Sequence, residues 1–312
     1  MTARTAATLH VTNGDSVLYS FRKAGIAGTH LAWRDVLHEG PVPANAPLER
    51  TSEVRARYLS ERGYGNPIKI FHDFQRRDAQ LLKADTFEEI VLWFEHDLYD
   101  QLQLIQILTA LDAMALEPGR ISMVQTDQYL GSMTADEISP LLPRRRTVTA
   151  AVIASGRRAW DRFTAQDAGE LLTAAHEDSI GLPYLRTAIR RLCEEYPSVR
   201  DGLSRSQRQA LQAVGQGPAT NLELFRRAQA REEASFMGDT AFEKIVNDLR
   251  DERGALIEGE DNGLAPTALG RRVLAGDADW LESVPIDRWI GGVHLHGSGA
   301  VRWNDETGRF QT

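Results

Sequence analysis

The run EEIVLWF at 88–94 constrains the fold more than any other stretch of the chain. It is an unbroken series of β-branched and aromatic residues between charged ends. That is too short for a core helix and too apolar for a strand with one wet face, so it predicts a strand covered on both sides. The neighbouring sequence supplies the cover. LHVTN (9–13) reads as a strand ending in Gly14, Asp15 and Ser16, and SVLYSFRKA (16–24) as a helix closed by Gly25. THLAWRDVL is a second strand leading into His38-Glu39-Gly40-Pro41, where Gly40-Pro41 reads as a turn and 41–47 as a loop. Stretches 48–62 and 67–84 read as surface helices. Beyond the buried strand, Asp100 to Met114 carries Leu102, Ile105, Leu108 and Leu111 at helical spacing until Pro118-Gly119. RISMVQTD (120–127) is a fourth strand, and the short helix after it has Thr134 as N-cap with Glu137 at its third position. Strands alternating with helical crossovers make a mostly parallel sheet with helices on both faces. The expectation is a doubly wound, Rossmann-like α/β domain over residues 1–145, with its strand order open.

From 146 to 203 the pattern turns helical: AAVIASGRRAWDRF, then AQDAGELLTAA after Thr164, then PYLRTAIRRLCEEY from Pro183. Cys193, in register with Ile189, reads as a small buried hydrophobe. A third unit is expected over 204–312. It opens with a helix capped by Ser204, a second opened by Asn221, and a third opened by Gly238-Asp239-Thr240. A hairpin about Asn262-Gly263 follows. Three helices and a hairpin outline a winged-helix-like domain. The tail, DRWIGGVHLHGSGAVRWNDETGRF, reads as a terminal hairpin turning at GSG. His294 and His296 lie two apart, on one face of a strand, which alone is a weak metal-ligand signal.

Charge narrows the function classes. Lys and Arg number 36 against 44 Asp and Glu, a net charge of −8, so the broad basic footprint of a nucleic-acid binder is missing. The third helix of the winged outline is a poor partner for phosphates: Asp239, Glu243, Asp248, Asp251 and Glu252 face Lys244, Arg250 and Arg253. Specific nucleic-acid binding is therefore not expected. That unit is expected to pack on the α/β half or on a partner protein or second copy, with Trp280 and Trp289 offering surface for docking. A single cysteine excludes an internal disulfide framework and a multi-thiolate metal site. No apolar run reaches the roughly 18 residues of a membrane span, and the first residues turn polar without a signal-peptide core. A cytoplasmic protein is expected.

Candidate chemistry collects where the strands end. Ligands of open α/β sheets bind beyond the carboxyl ends of the strands, and every predicted strand delivers a carboxylate there. The first supplies His10, Asn13, Gly14, Asp15 and Ser16; the second Asp35, His38 and Glu39; the third Glu95, His96 and Asp97, followed by Asp100 and Gln101; the fourth Asp127. Each segment alone can be a turn or a helix cap. Four together predict one polar pocket, with Asp15, Glu95, His96 and Asp97 as candidate catalytic groups and the others as substrate-binding groups. Asn13 to Ser16 at a helix start suit an anion. The G-x-G-x-x-G and Walker patterns are absent, so no standard nucleotide assignment follows. Glu95, His96 and Asp97, with Asp15 and Asp127, permit a divalent metal without demanding one. In a second reading His96 is a general acid or base oriented by a carboxylate, and Asp15 receives a substrate hydroxyl or amine. Ser16 lacks the G-x-S-x-G elbow of a serine hydrolase.

At these residues the chain resembles a known bacterial family. LHVTNGDS (9–16), DVLHEGPV (35–42) and LWFEHDLYDQLQLIQIL (92–108) are similar to domain of unknown function 1835 (DUF1835). FMGDTAFEKIVNDLRDERG (236–254), LAPTALGRRVL (264–274) and DRWIGGVHL (287–295) are similar to the accessory region of its full-length members. The resemblance implies that the two halves occur together and that His10, Asn13, Asp15, Glu39, Glu95, His96, Asp97, Asp100 and Gln101 stand at motif positions. It carries no activity or substrate. The functional expectation is a small-molecule enzyme or ligand-binding protein, with hydrolysis or group transfer on an anionic or phosphorylated substrate. The alternative is a ligand-responsive DNA-binding regulator or an interaction scaffold.

Overall fold

The structure is a computed structural model and describes residues 8–116, 118–251, 253–260, 263–297 and 299–311. The first half is built on β1 (Thr8–Thr12), α1 (Leu18–Lys23), β2 (Thr29–Ala32), β3 (Gly40–Pro41), α2 (Leu48–Glu61), α3 (Pro67–Leu81), β4 (Glu89–Glu95), α4 (Leu98–Ala113), β5 (Ile121–Thr126), α5 (Ala135–Ile138) and β6 (Arg146–Thr147). Five of the strands form one sheet in the order β2-β1-β4-β5-β6. β2, β1, β4 and β5 run parallel, and β6 is antiparallel at the edge. The mostly parallel α/β architecture expected from the alternation is present. Its order reverses direction between β1 and β4, which makes that junction the switch point where a ligand crevice belongs.

β4 shows why its sequence has no polar alternation. Ile90, Leu92 and Phe94 point into the core beneath α4, while Val91 and Trp93 join Val17, Phe21, Ile26 and Ile138 beneath α1 and α5 on the other face. A strand covered on both sides buries every side chain. α4 is apolar around most of its circumference for the same reason: the sheet, α6 (Ala150–Phe163) and α8 (Leu185–Cys193) enclose it. Its buried glutamines are used, Gln106 accepting from the Trp33 indole at 2.6 Å and Gln103 donating to the Asp35 carbonyl at 2.8 Å.

Two boundaries differ from expectation. The second strand stops at Ala32, because Arg34 takes φ 56 and turns the chain out of the ladder. Gly40-Pro41 is a short strand, not a turn, and pairs in parallel with β9 (Asp287–Gly291) of the tail.

The chain continues through α6, α7 (Ala168–His176) and α8, then α9 (Arg205–Gly215), α10 (Asn221–Gln229) and α11 (Asp239–Asp248). β7 (Ile257–Glu258) and β8 (Ala265–Pro266) pair antiparallel ahead of α12 (Ala268–Ala275). Asn262, at the expected hairpin turn, lies outside the described residues. Caps follow the sequence closely: Thr134 with Glu137 and Ser204 with Gln207 form capping boxes. Thr220, one residue before Asn221, caps α10, and Asp167 caps α7. Cys193 is buried, and burial pushes its thiol up to about 12.

The tail departs most from its reading. β9 and β10 (Val293–His296) form one hairpin that turns at Gly291-Gly292, and β11 (Arg302–Asn304) with β12 (Arg309–Gln311) forms a second. Ser298, at the centre of the expected GSG turn, lies outside the described residues. Gly291 takes φ 57, and a Cβ on Gly292 would sit 1.9 Å from the Thr164 carbonyl, so the tight turn belongs to these glycines. Trp280 is buried, donating to the Gly254 carbonyl at 2.9 Å, and offers no docking surface. No helix among the described residues is long and apolar enough to cross a membrane.

Candidate functional site

At the switch point the end of β1 meets the start of α4. Asn13 donates from Nδ2 to Asp100 Oδ2 at 2.6 Å, joining residues 87 apart in sequence. Asp97 caps α4, its Oδ1 accepting from the Asp100 amide at 3.0 Å. Asp100 Oδ1 accepts from the Glu95 amide at 2.7 Å, and Glu95 Oε1 accepts from the Leu130 amide at 2.9 Å. Each carboxylate is thus aimed by a backbone N–H. One ligand-type oxygen from each of Glu95, Asp97 and Asp100 lies within 4.8 Å of the other two, and all three residues are buried.

Among the described residues no basic side chain pairs with them. Burial raises all three carboxyls above the usual carboxylate range, and repulsion from neighbouring carboxylates adds to it for Glu95 and Asp97. Hydrogen bonds from Leu130, from Asp100 and Tyr99, and from Glu95 and Asn13 oppose the shifts without cancelling them. Gln101 is fully buried and donates through Nε2 to the Glu95 carbonyl at 2.6 Å, while its Oε1 has no partner. His96 turns its ring edge toward Tyr184, centroids 5.8 Å apart, and its buried Nδ1 also lacks a partner.

The other candidates sit elsewhere. Asp15 and Ser16 are exposed, and Arg34 holds Asp15 through Nε at 2.6 Å as well as through Nη2. Neither side chain caps α1, which has only six residues. Gly14 is half-buried between Asn13 and this exposed rim, and Asp127 is exposed beyond β5. His10 is not a ligand-binding group. Trp93 Nε1 donates to its Nδ1 at 3.1 Å, its Nε2 faces the Ala27 carbonyl at 3.2 Å, and burial lowers it to about 4. Both ring nitrogens are consumed inside the core. Asp35 is likewise structural: it is fully buried, 3.0 Å from Arg55 Nε, with Arg77 at 3.9 Å.

His38 and Glu39 line a different cavity, a cleft of about 310 Å³ between the first half, the 195–207 segment and the carboxyl-terminal units. Tyr58, Arg62, Glu195 and Arg288 share its lining with Trp289. Its size is at the lower end for small-molecule sites. Burial lowers His38 to about 4 and leaves Nδ1 unpartnered. Burial alone would raise Glu39, but His38, the Tyr64 hydroxyl and Arg62 hold it below the usual range. The Tyr99 ring packs 6.2 Å from His38 on one side and belongs to the first turn of α4 on the other. The single pocket expected at the strand ends is therefore two regions with Tyr99 between them, and neither Asp15 nor His96 lines the cleft. His294 and His296 join neither. His294 stacks on Trp289, centroids 4.3 Å apart, and pairs with Asp287 at 2.7 Å on an exposed face.

The sequence reading grouped Glu95 and Asp97 with His96, Asp15 and Asp127, whereas the structure groups them with Asp100. Asp100 and Gln101 read as ligand groups there, and the partner role of Asn13 had no local signal. Tyr99, Arg34 and Leu130, which position or flank the site, were missed; only the spacing of Tyr99 within the first turn of α4 could have pointed to it. Compared with known proteins, the chain matches no family model, and no curated protein matches it.

Proposed function

We propose that this chain is a small-molecule enzyme whose working groups are Glu95, Asp97 and Asp100, catalysing hydrolysis or group transfer on an anionic or phosphorylated substrate. The observation that carries the reading is the placement of three buried carboxylates, without a basic partner among the described residues, at the switch point of a parallel sheet. One side-chain acceptor is enough to cap a helix, and Asp97 supplies it for α4. Two further buried carboxylates are an electrostatic cost that the fold itself does not require. Asn13 and Gly14 at the end of β1 supply the neighbouring polar contacts, and Arg34 at the rim supplies a guanidinium. We also propose membership of the DUF1835 family, on the motifs quoted above. A winged-helix unit over 204–312, as part of a DNA-binding regulator, is the second reading. The three helices and the β7–β8 hairpin favour it, but α11 is turned to the first half of the chain. Arg62 pairs with Asp248 at 2.8 Å, and Lys244 donates to the Gly63 carbonyl at 3.1 Å.

Backbone NMR with a panel of phosphorylated and carboxylated small molecules tests the reading. The expected perturbations fall at 13–16, 95–101 and 127–132. Perturbations confined to 38–39 and 280–289, or none across the panel, would overturn it.

A further inference from the structure

The geometry points to a site for one hard divalent cation held by the carboxylates of Glu95, Asp97 and Asp100 with the amide oxygen of Gln101. Four observations carry it. The three carboxylate oxygens lie no more than 4.8 Å apart. Two oxygens on one ion are separated by at most twice the metal–oxygen distance, about 5 Å for Ca²⁺ and about 4.2 Å for Mg²⁺. Each pair therefore lies within the reach of an ion of Ca²⁺ size, and seating all three oxygens on one ion takes sub-ångström closure, more for a smaller ion.

The orienting bonds are of the kind that pre-set a metal site. The Leu130, Asp100 and Glu95 amides each fix one carboxylate, and Asn13 fixes Asp100 a second time. Among the described residues, Oε2 of Glu95 accepts no hydrogen bond, which leaves it open to an ion.

Gln101 is independent of the acidic residues. It is fully buried, and its Nε2 donates to the backbone carbonyl of Glu95, which leaves Oε1 of the same terminal amide without a partner. An unpaired buried amide oxygen costs about 1–3 kcal/mol. A hard cation would satisfy it and the carboxylates together. Among the described residues no Lys, Arg or His is paired with the three carboxyls.

Asp15 and Asp127, which the sequence offered as ligands, are outside this set: Asp15 is held by Arg34, and Asp127 is exposed. The all-oxygen set selects Mg²⁺, Mn²⁺ or Ca²⁺ over softer ions. The site also removes a conflict in the proposed function, since three carboxylates repel an anionic substrate unless a cation stands between them. That last link rests on the proposed function; the cation site itself does not.

The test uses the full chain, stripped with chelator and titrated with Mn²⁺ under electron paramagnetic resonance, with no substrate present. One Mn²⁺ per chain is expected, at roughly micromolar to sub-millimolar affinity, displaced by Mg²⁺ or Ca²⁺. Mn²⁺ should also broaden the side-chain amide resonances of Asn13 and Gln101 first, a readout that needs no variant. Asp97→Asn keeps a cap acceptor for α4, and Glu95→Gln keeps the acceptor for Leu130. Each is expected to weaken Mn²⁺ at least about 10-fold while melting no lower than the parent without metal. No uptake at about 1 mM, broadening centred on exposed acidic residues, or uptake unchanged in both variants overturns the site. Uptake without any ligand response at 13–16 and 95–101 would sink the proposed function and leave the cation site standing. A ligand response without uptake would do the reverse.

Discussion

His10 and His38 show how the same residue type is put to different use by its surroundings. Both are buried and both are held neutral, at about 4, by the cost of charging an imidazole away from water. His10 has spent both nitrogens on Trp93 and Ala27, whereas His38 keeps Nδ1 unpartnered at a cleft. A histidine whose folded value lies below its ordinary 6.5 contributes stability that is fully present above about 6.5. That stability is lost as pH falls through about 4. The midpoint of urea unfolding is therefore expected to drop between those limits, and the C2–H resonances of both rings to stay at their neutral positions until the lower one. A His10 resonance that titrates near 6.5 would refute the buried, doubly bonded ring. Asp35 and Arg55, at zero exposure, belong to the same scale. Arg55 also donates to the Val36 and Glu39 carbonyls at 2.6 and 2.7 Å, so it ties down the loop that carries His38. Asp35, which read as a substrate-binding carboxylate, is an anchor.

Among the elements, α4 and the β9–β10 hairpin carry the most consequence. α4 was legible from its leucines and isoleucines. Its start at Asp97 was legible because a cap competes for the first free amides of any helix. The hairpin was misplaced because Gly-Ser-Gly and Gly-Gly are equally permissive turns on paper. What decides between them is Thr164, a residue far along the chain whose carbonyl leaves no room for a Cβ at Gly292. Gly292→Ala is expected to destabilise the protein by about 1–3 kcal/mol through forced backbone movement. Limited proteolysis should then cut within 285–300, and β3 should lose its partner. An unchanged melting temperature with an unchanged cleavage pattern would count against this placement of the turn.

Across the whole molecule, one hydrophobic core runs from the sheet through α6–α8 to the carboxyl-terminal helices and the tail. α11, the helix that would read DNA in a winged unit, spends Asp248 and Lys244 on Arg62 and Gly63 beside α2. Exposed pairs of this kind contribute little individually, about 1 kcal/mol or less. Their position matters more, because a helix docked on its own chain is not free to enter a groove. Selection from a randomised duplex library at about 50 mM salt, where phosphate contacts are strongest, is expected to enrich no motif. Enrichment of one motif, abolished when Arg271 and Arg272 are both changed to Ala, would restore the regulator reading.

By itself the sequence determined the periodic features: strands where apolar residues run unbroken, helices where they recur at helical spacing, caps where Thr, Ser or Asp stands before them, and the acidic balance that disfavours phosphates. These depend on neighbours within a turn or two, so local chemistry is sufficient. Only the tertiary structure decided which polar residues meet. Asn13 and Asp100 are 87 positions apart and bond because β1 and β4 are adjacent at the switch point. His10 within β1, Asp35 beyond β2 and Glu95 at the end of β4 are polar residues set against apolar strand sequence in the same style. One faces Trp93 in the core, one faces Arg55, and one joins Asp97 and Asp100. Strand order and side-chain facing, set by long-range packing, separate a structural histidine and a buried ion pair from the carboxylates that collect at a single point.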